Sequence, residues 1–474
     1  MSRFNHPSAL LKPKKLPRAQ PPAAAEPSKA VLPRPGLQPR GTPVPSLPPN
    51  DGPLSSIGFA AALAYVFVRF ALLNDTITAV FGFKPYLAYI TAPIALLGFL
   101  FTGGLGRAVR FKPGIFFCGF LAWLLLAAPF SVWRGGSTQT LFTAFEADFS
   151  MFFMIVGLTT TWYRFRMMLF AIAGGGVCDF LFCLIYPASV DGRFVLRFGT
   201  LSNPNDLATH FLFILPVCAW AFQASPRFSL PKLILPPTIA GILIIVLRTG
   251  SRAALLSLIG LALFLFLRGS IQFKIVAVVS AIALAAIAVF LLPADLKYRY
   301  LSLFTSSAPA VSTAADLERA QEAQGSTAAR EALLTNSISE TLSHPLFGVG
   351  PGEFAVAEAA VAKDLGKRAA WQVTHNTYTQ VSAEAGIPAF LFFVGALFGA
   401  IRLLYLVHKR TRSHRLNDPM EPAFWLLISG IALSINIFFS ALAYAYYIPT
   451  FIALSMVAAS IANAGREPQS RQIK

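Results

Sequence analysis

The sequence predicts an all-α fold, a polytopic bundle of about twelve transmembrane helices with one large extramembrane loop. Hydrophobic residues make up 55% of the 474 residues and charged residues only 13%, with a mean hydropathy of +0.61. A soluble protein of this length would carry about 25% charged residues. The net charge of +18 lies mostly in short connections between apolar runs, so it reports topology rather than nucleic-acid binding.

The first segment, residues 1–53, is rich in proline and alanine, basic, and poor in large apolar residues. Such a segment cannot bury enough apolar surface to order itself. We expect a disordered cytoplasmic tail that also contacts anionic lipid. A second short tail is expected at residues 463–474.

Apolar runs then follow, nine between residues 54 and 292 and three between residues 387 and 462. Two of them, 149–162 and 253–267, are short for a full crossing of the bilayer. The runs are 55–73, 86–102, 115–133, 149–162, 167–186, 207–223, 233–248, 253–267, 273–292, 387–407, 423–440 and 442–462.

Basic residues predict the orientation of these runs. With the N-terminus in the cytoplasm, every inner connection is basic, in agreement with the positive-inside rule. Both termini are then cytoplasmic, and residues 293–386 form a large loop on the outer side. The inner connections carry Arg107, Arg110, Lys112, Arg164, Arg166, Arg227, Lys232, Arg268, Lys274, Lys409, Arg410, Arg412 and Arg415.

The outer loop contains an amphipathic helix and a glycine turn. Leu334, Ile338 and Leu342 recur at steps of four, which predicts a helix over 330–343 lying on the bundle. Three glycines in 348–352 then predict a flexible turn. Because no Lys-Ser or Lys-Thr pair follows them, a nucleotide-binding P-loop is excluded.

The polar stretch 371–388 joins this loop to the next apolar run. A helix from about Thr374 places His375 at the head of a polar stripe, and Gly386 with Pro388 marks the break before the next helix. An imidazole at a membrane boundary is a candidate proton acceptor near neutral pH. The alternative is an interfacial helix whose histidine contacts only water. The stripe comprises His375, Tyr378, Thr379 and Ser382.

Several arginines on the outer side run against the positive-inside bias, which suggests another reason for their presence. Guanidinium groups suit a diphosphate because the planar fork binds two oxygens at once. The alternative for each arginine is snorkelling to lipid headgroups. With His375 on the same side, these residues are Arg193, Arg197, Arg248, Arg252 and Arg330.

Other features of the sequence bear on the site. Asn203-Pro204 predicts a turn, with Asn205 or Asp206 as the cap of the following helix. No acidic cluster with metal-ligand spacing occurs, so arginines rather than a metal are expected to neutralise charge. Four cysteines lie inside apolar runs and are interpreted as buried structural thiols: Cys118, Cys178, Cys183 and Cys218.

Four short motifs in order resemble the bacterial O-antigen ligase and polysaccharide polymerase superfamily. The resemblance covers roughly residues 190–400, with the large outer loop between the second and the fourth motif. The motifs are RFGTLSNPN at 197–205, TGSR at 249–252, HPLFGVGPG at 344–352, and HN at 375–376 leading to EAGIP at 384–388.

This resemblance implies a metal-independent glycosyltransferase of the GT-C type in the bacterial inner membrane, active at the periplasmic face without a cofactor. The implied donor is an undecaprenyl-diphosphate-linked glycan, and the acceptor is lipid A core, a growing glycan or a protein. His375 would be the base, and Arg197, Arg252 and Arg330 would hold the diphosphate. The implied structural positions are Asn203, Asn205, Gly348, Gly350 and Gly386.

Two other classes of protein remain open. A transporter or flippase of an anionic lipid-linked substrate would also use arginines, but it predicts ionisable residues near mid-membrane and internal repeats. A non-enzymatic assembly protein that recruits partners through its basic tail would leave the outer arginines and His375 unexplained. The release of free undecaprenyl diphosphate would distinguish a transferase from a transporter.

Overall fold

The structure is a computed structural model that describes residues 52–268, 292–301, 314–364, 371–411 and 422–464, with isolated residues between 271 and 286 and Gly366. Side chains are described from residue 328 onward in the helix that begins at residue 314. In these parts of the chain, the regular structure is helical apart from one short β-hairpin.

The helices follow the apolar runs and extend into the large loop. They are α1 (Pro53–Phe70), α2 (Leu73–Phe81), α3 (Leu87–Phe101), α4 (Gly104–Ala108), α5 (Lys112–Ala127), α6 (Arg134–Ala144), α7 (Ser150–Leu158), α8 (Trp162–Ile185), α9 (Pro204–Ala224), α10 (Leu230–Arg248), α11 (Arg252–Arg268), α12 (Ala294–Leu301), α13 (Ala314–Ser343), α14 (Phe354–Asp364), α15 (Thr377–Thr411), α16 (Pro422–Asn436) and α17 (Tyr447–Ala464). The antiparallel hairpin pairs β1 (Pro187–Val190) with β2 (Arg193–Leu196).

Eight helical segments in the described residues are long and apolar enough to cross a membrane, and three shorter apolar helices accompany them. This confirms a polytopic helical membrane protein. The predicted run 273–292 lies largely outside the described residues, as does the tail 1–53. The long segments are Pro53–Phe70, Lys112–Phe130, Arg134–Leu158, Trp162–Ile185, Pro204–Ala224, Leu230–Arg248, Thr377–Arg410 and Tyr447–Ala464; the shorter ones are Leu87–Phe101, Arg252–Leu267 and Pro422–Asn436.

One predicted span has the wrong bounds. The run 149–162 is the second half of a continuous helical segment, Arg134–Leu158, in which a π-helical turn over Phe145–Phe149 joins α6 to α7. The sequence prediction missed the first half because it is polar and contains paired glycines, which are typical of loops. The segment ends at Thr159, where the backbone leaves the helical region.

The bundle core is built from large apolar side chains of α1, α5, α7, α8, α9, α15, α16 and α17. In this core α15 packs along α5 and α17, while α9 packs along α8, α10 and α16. The four cysteines are free thiols, of which Cys183 and Cys218 are buried and Cys118 and Cys178 half-buried, so the expectation of burial holds fully for two of them.

The interior also holds ionisable side chains in pairs. The Arg69 guanidinium lies 2.5 Å from the Asp148 carboxylate, and its carbon lies 5.1 Å from the centre of the Tyr446 ring. Deeper in the core, His210 Nε2 lies 2.7 Å from Asp179 Oδ2, with both side chains fully buried. Partners of this kind lower the cost of placing ionisable groups among apolar helices.

Helix α15 is interrupted at Gly386, where φ is 80° and ψ is 176°. The break divides it into an upper half, Thr377–Ala385, and a long apolar half that begins at Ile387. The Ile387 N–H donates to the Pro345 carbonyl at 2.8 Å, so a residue of the large loop satisfies a group that the break releases. The predicted break at Gly386 is confirmed.

Candidate active site

His375 lies immediately before helix α15, not within it. The helix begins at Thr377, and the Asn376 side chain caps it by accepting the N–H groups of Tyr378 at 2.9 Å and Thr379 at 3.2 Å. His375 has a left-handed φ of 52°, which a helix does not allow. The predicted helix start at Thr374 is therefore wrong, and Asn376 is the capping signal that would have corrected it.

The backbone next to His375 is fixed by the connection between α16 and α17. The Thr377 N–H donates to the Ile437 carbonyl at 2.9 Å, and its hydroxyl donates to the Ser440 carbonyl at 2.6 Å. The same hydroxyl accepts the Leu442 N–H at 2.9 Å. His375 is thus presented from a rigid support, which suits a residue whose side chain must be held in one place.

A pocket of about 310 Å³ brings His375 together with Arg252 and Arg330. These residues come from three separate parts of the sequence: a short helix connection, the long loop helix α13, and the start of α15. Two of the predicted diphosphate-binding arginines therefore share one cavity with the predicted base. The rest of the lining is Leu256, Glu331, Leu334, Thr374, Asn376, Phe438 and Phe439.

Two further arginines hold the connection that precedes Arg252. Arg193 donates from Nε to the Thr249 carbonyl at 2.7 Å. Arg299 donates from Nε to the Gly250 carbonyl at 3.1 Å. Carbonyls at the end of a helix carry partial negative charge, so both arginines satisfy α10 while their charge stays beside the pocket.

Several neighbouring arginines give this region positive charge, and burial and mutual repulsion lower their pKa values. Burial, then the charges of Arg299 and Arg330, lower the pKa of Arg193 to about 9. Burial and Arg299 also lower the pKa of Arg330. For His375, burial followed by the charge of Arg330 lowers the pKa below its ordinary value. The imidazole is therefore neutral at neutral pH and able to accept a proton, while the surrounding cations favour a bound anion.

Arg197 is not brought into this pocket. Its side chain is exposed, and its N–H donates to the Tyr186 carbonyl at 3.2 Å at the end of the hairpin. Arg248 also lies apart, with its guanidinium 5.3 Å from the centre of the Phe194 ring. From the sequence, Arg193 was grouped with the outer arginines but was not named among the diphosphate-binding residues, and Arg299 was missed because α12 is short and polar.

Two asparagines of the first motif act through their side-chain oxygens. Asn203 caps α9 by accepting the N–H groups of Asn205 at 2.8 Å and Asp206 at 3.4 Å, and Pro204 occupies the first helical position. The prediction of Asn205 or Asp206 as the cap is therefore wrong by two or three residues. Asn205 instead accepts a hydrogen bond from the Arg193 guanidinium at 2.8 Å, which links the motif to the arginine cluster.

The glycine turn is a docking element rather than a flexible one. Gly348 and Gly350 have φ of 64° and 115°, values open mainly to glycine. The Val349 N–H donates to the Ala383 carbonyl and the Gly350 N–H to the Glu384 carbonyl, each at 2.9 Å. A Cβ on Gly348 would strike this same backbone. The motif glycines therefore allow the loop to lie directly on the upper half of α15.

Helix α13 packs differently from the prediction. Its buried positions in the described part are Leu333 and Ser337, whereas Ile338 and Leu342 of the predicted apolar face are 47% and 71% exposed. Only Leu334 of that face reaches the pocket. The prediction took the most apolar stripe as the packed one, but α13 meets the small residues Ser382 and Ala383 of α15 through its neighbouring face, and Ile338 and Leu342 remain exposed.

Fold and site together define a polytopic membrane protein with a cationic, histidine-containing pocket at one end of the bundle. Residues 237–394 match the family model described as O-antigen ligase. Over these residues, the match confirms the resemblance to the O-antigen ligase and polysaccharide polymerase superfamily. Arg252, Arg330 and His375 all lie inside the matched region, whereas the motif at 197–205 precedes it. No curated protein matches the chain in sequence.

Proposed function

We propose that this protein is a metal-independent membrane glycosyltransferase that transfers or polymerises an undecaprenyl-diphosphate-linked glycan at the periplasmic face of the bacterial inner membrane. The observation that carries the proposal is the shared pocket of Arg252, Arg330 and His375. It combines a proton acceptor with cations suited to a diphosphate, beside a membrane bundle that can hold a lipid chain.

Arg252 and Arg330 bind the donor diphosphate, and Arg193 and Arg299 add positive charge from behind the Thr249–Gly250 connection. We rank Arg193 above Arg197 as a contributor because its guanidinium is buried beside the pocket, whereas Arg197 is exposed. The apolar part of the lining faces the prenyl chain of the donor. This part consists of Leu256, Leu334, Phe438 and Phe439.

His375 removes the proton from the acceptor hydroxyl as its oxygen attacks the anomeric carbon of the donor. The bond between that carbon and the diphosphate oxygen breaks, and its electron pair leaves with the diphosphate. The arginines stabilise this charge, so the leaving group needs no acid. A single displacement inverts the anomeric configuration. Positioned proton removal contributes about 10²–10⁴-fold to such a reaction.

The acceptor is either lipid A core or another lipid-linked glycan, and the two correspond to a ligase and a polymerase. In both cases the second substrate is anchored in the same leaflet as the donor. The reaction therefore needs two lipid-bound substrates to meet at one end of the bundle.

The test is His375→Ala in purified protein with lipid-linked donor and acceptor, measuring turnover, donor binding and protein level together. We expect turnover to fall by at least about 10²-fold with folding and donor binding retained. His344→Ala is the matched control, because His344 lies in the same loop, is half exposed, and pairs with Glu340 outside the pocket. Near-normal turnover in His375→Ala would refute the assignment of the base.

A transporter or flippase is the second candidate, favoured by the buried pairs Arg69–Asp148 and His210–Asp179 inside the bundle. A transferase releases free undecaprenyl diphosphate in step with glycan transfer, whereas a flippase moves the intact donor. Detection of donor movement across vesicles without diphosphate release would favour this second candidate.

A further inference from the structure

A second pocket, of about 560 Å³, lies between the end of α5 and the outer face of α6. Its walls are apolar and include Leu125, Leu141, Phe142 and Phe145, while Arg134 and Thr138 supply its polar groups. Leu125 and Phe142 are 55% and 71% exposed, so the pocket opens to the outside of the bundle.

The sequence of α6 explains why the pocket has this character. Arg134, Thr138, Leu141 and Phe145 follow one another at steps of four, three and four, so they share one helix face. The adjacent face carries the buried Ser137, which donates a hydrogen bond to Ser131 at 2.8 Å in the core. The side of α6 that packs on the bundle therefore borders the stripe in which Arg134 and Thr138 are exposed beside apolar side chains.

Arg134 is available to a ligand. Its side chain is exposed, and within the described part of the chain it forms no hydrogen bond or ion pair. Further along the same segment, the Asp148 carboxylate pairs with Arg69 and not with Arg134. A cation beside an open apolar cleft suits a phosphate group carried on hydrocarbon chains.

The pocket lies at the same end of the bundle as His375. The Val132 N–H, in the turn before α6, donates to the Val349 carbonyl at 2.9 Å, and Val349 donates in turn to Ala383 on α15. Phe130 in the same turn stacks on Phe347 with ring centres 4.2 Å apart. From Ala383 to the start of α15 at Thr377 is six residues, about 9 Å of helix.

We propose that this pocket binds the acceptor, a phosphorylated glycolipid, with Arg134 on its phosphate and the apolar walls on its chains. The proposal rests on the proposed transferase function, which requires a second lipid-bound substrate beside the donor pocket. The intervening glycine turn separates the two lipid sites and leaves only the headgroup sugars to cross toward His375. Bulk phospholipid would fill the same cleft but would bring no acceptor hydroxyl to that position.

The experiment has a binding arm that does not depend on activity. Full-length protein in phosphatidylcholine nanodiscs is exposed to lipid A with a photoreactive acyl chain, and labelled peptides are mapped. We expect labelling within residues 125–145, and we expect Arg134→Glu to reduce it at least fivefold. Gln139→Glu is the control, because it introduces a glutamate at an exposed position outside the pocket, and it should leave the labelling unchanged. Excess phosphatidylglycerol should compete poorly.

The kinetic arm uses the same variants. Arg134→Glu should raise the apparent KM for the acceptor about tenfold or more, because a charged hydrogen bond is lost, with KM for the donor unchanged. Absence of labelling, or equal competition by phosphatidylglycerol, would overturn the acceptor site. Labelling that persists while wild-type protein transfers no glycan would instead leave the binding site in place and refute the transferase function.

Discussion

At the residue scale, the site depends on a histidine held in a left-handed backbone conformation between two buried side chains, Thr374 and Asn376. Such a conformation costs about 1–2 kcal/mol for a residue with a Cβ. It persists because the cap at Asn376 and the hydrogen bonds of Thr377 determine the chain on its C-terminal side. Strain of this kind at a pocket is typical of a functional residue.

The first prediction concerns the pH dependence of turnover. The base must be neutral, and the pKa of His375 in the free protein is lowered, so kcat/KM for the donor should rise with pH through a midpoint below the ordinary value of 6.5. Arg330→Gln removes a positive charge that disfavours the imidazolium, so it should move this midpoint upward. The pH profile of kcat/KM measures both. An acid limb that does not move in Arg330→Gln would show that His375 is not the titrating group.

The second prediction separates diphosphate binding from lipid-headgroup contact at Arg252. Arg252→Lys should remain defective, because an ammonium group lacks the bidentate fork of guanidinium. We expect kcat/KM for the donor to fall about tenfold or more, as for the loss of a charged hydrogen bond. Activity within about threefold of wild type would favour snorkelling to headgroups.

At the element scale, the glycine turn and the broken helix α15 form one unit. Gly352 donates its N–H to the buried Glu384 carboxylate at 3.0 Å, and the Tyr444 hydroxyl donates to the same oxygen at 2.6 Å. The large loop is thereby attached to both α15 and the segment before α17. The glycines of this motif therefore attach the large loop to α15, the helix that follows His375.

The third prediction tests this attachment. Gly386→Ala places a Cβ against the backbone carbonyls of Leu346 and Pro345 at a φ of 80°. This combination of φ and ψ is essentially open only to glycine and costs another residue about 1–3 kcal/mol, so the apparent melting temperature in detergent should fall and activity should be lost. Gly106→Ala is the matched control, since no atom lies within 4 Å of its added Cβ. Equal melting temperatures for the two variants would contradict the docking role.

At the scale of the whole molecule, the connections predicted on the outer side lie together. Arg193 of the hairpin binds Thr249, Arg299 of the large loop binds Gly250, and Val132 binds Val349. The opposite end joins predicted inner residues, with Arg110 donating to Ser460 at 3.1 Å. These contacts agree with the alternation of basic connections along the sequence.

The fourth prediction is the orientation itself. Alkaline phosphatase, which is active only outside the cytoplasm, should be active when fused after Pro309 and inactive when fused after Arg412. This follows from basic inner connections and a large outer loop. The reverse pattern would overturn the topology and remove His375 from the proposed periplasmic reaction face.

Hydropathy and glycine chemistry made much of the molecule predictable, because both act locally. The membrane class, the break at Gly386, and the placing of Arg252 and His375 at the same end of the bundle followed from residues close in sequence. The role of Arg299 could not be predicted in this way, because its hydrogen-bond partner Gly250 lies 49 residues away in the sequence and the two meet only in the folded protein. The packed face of α13 was missed because it is set by contacts with Phe354 and Ala383, which are distant from Leu333 in the sequence.

Helix α15 also couples the site to the thickness of the bilayer. Below Gly386, the largely apolar stretch from Ile387 to Val407 has 21 residues, about 32 Å of helix, against a hydrocarbon core of about 30 Å. In a thinner membrane, tilt of this stretch relieves the hydrophobic mismatch. Because the upper half of α15 is docked to the large loop, such a tilt changes the height of His375 above the lipid surface. In the proposed reaction, the acyl-chain length of the surrounding lipids therefore changes the distance between His375 and a lipid-anchored anomeric carbon.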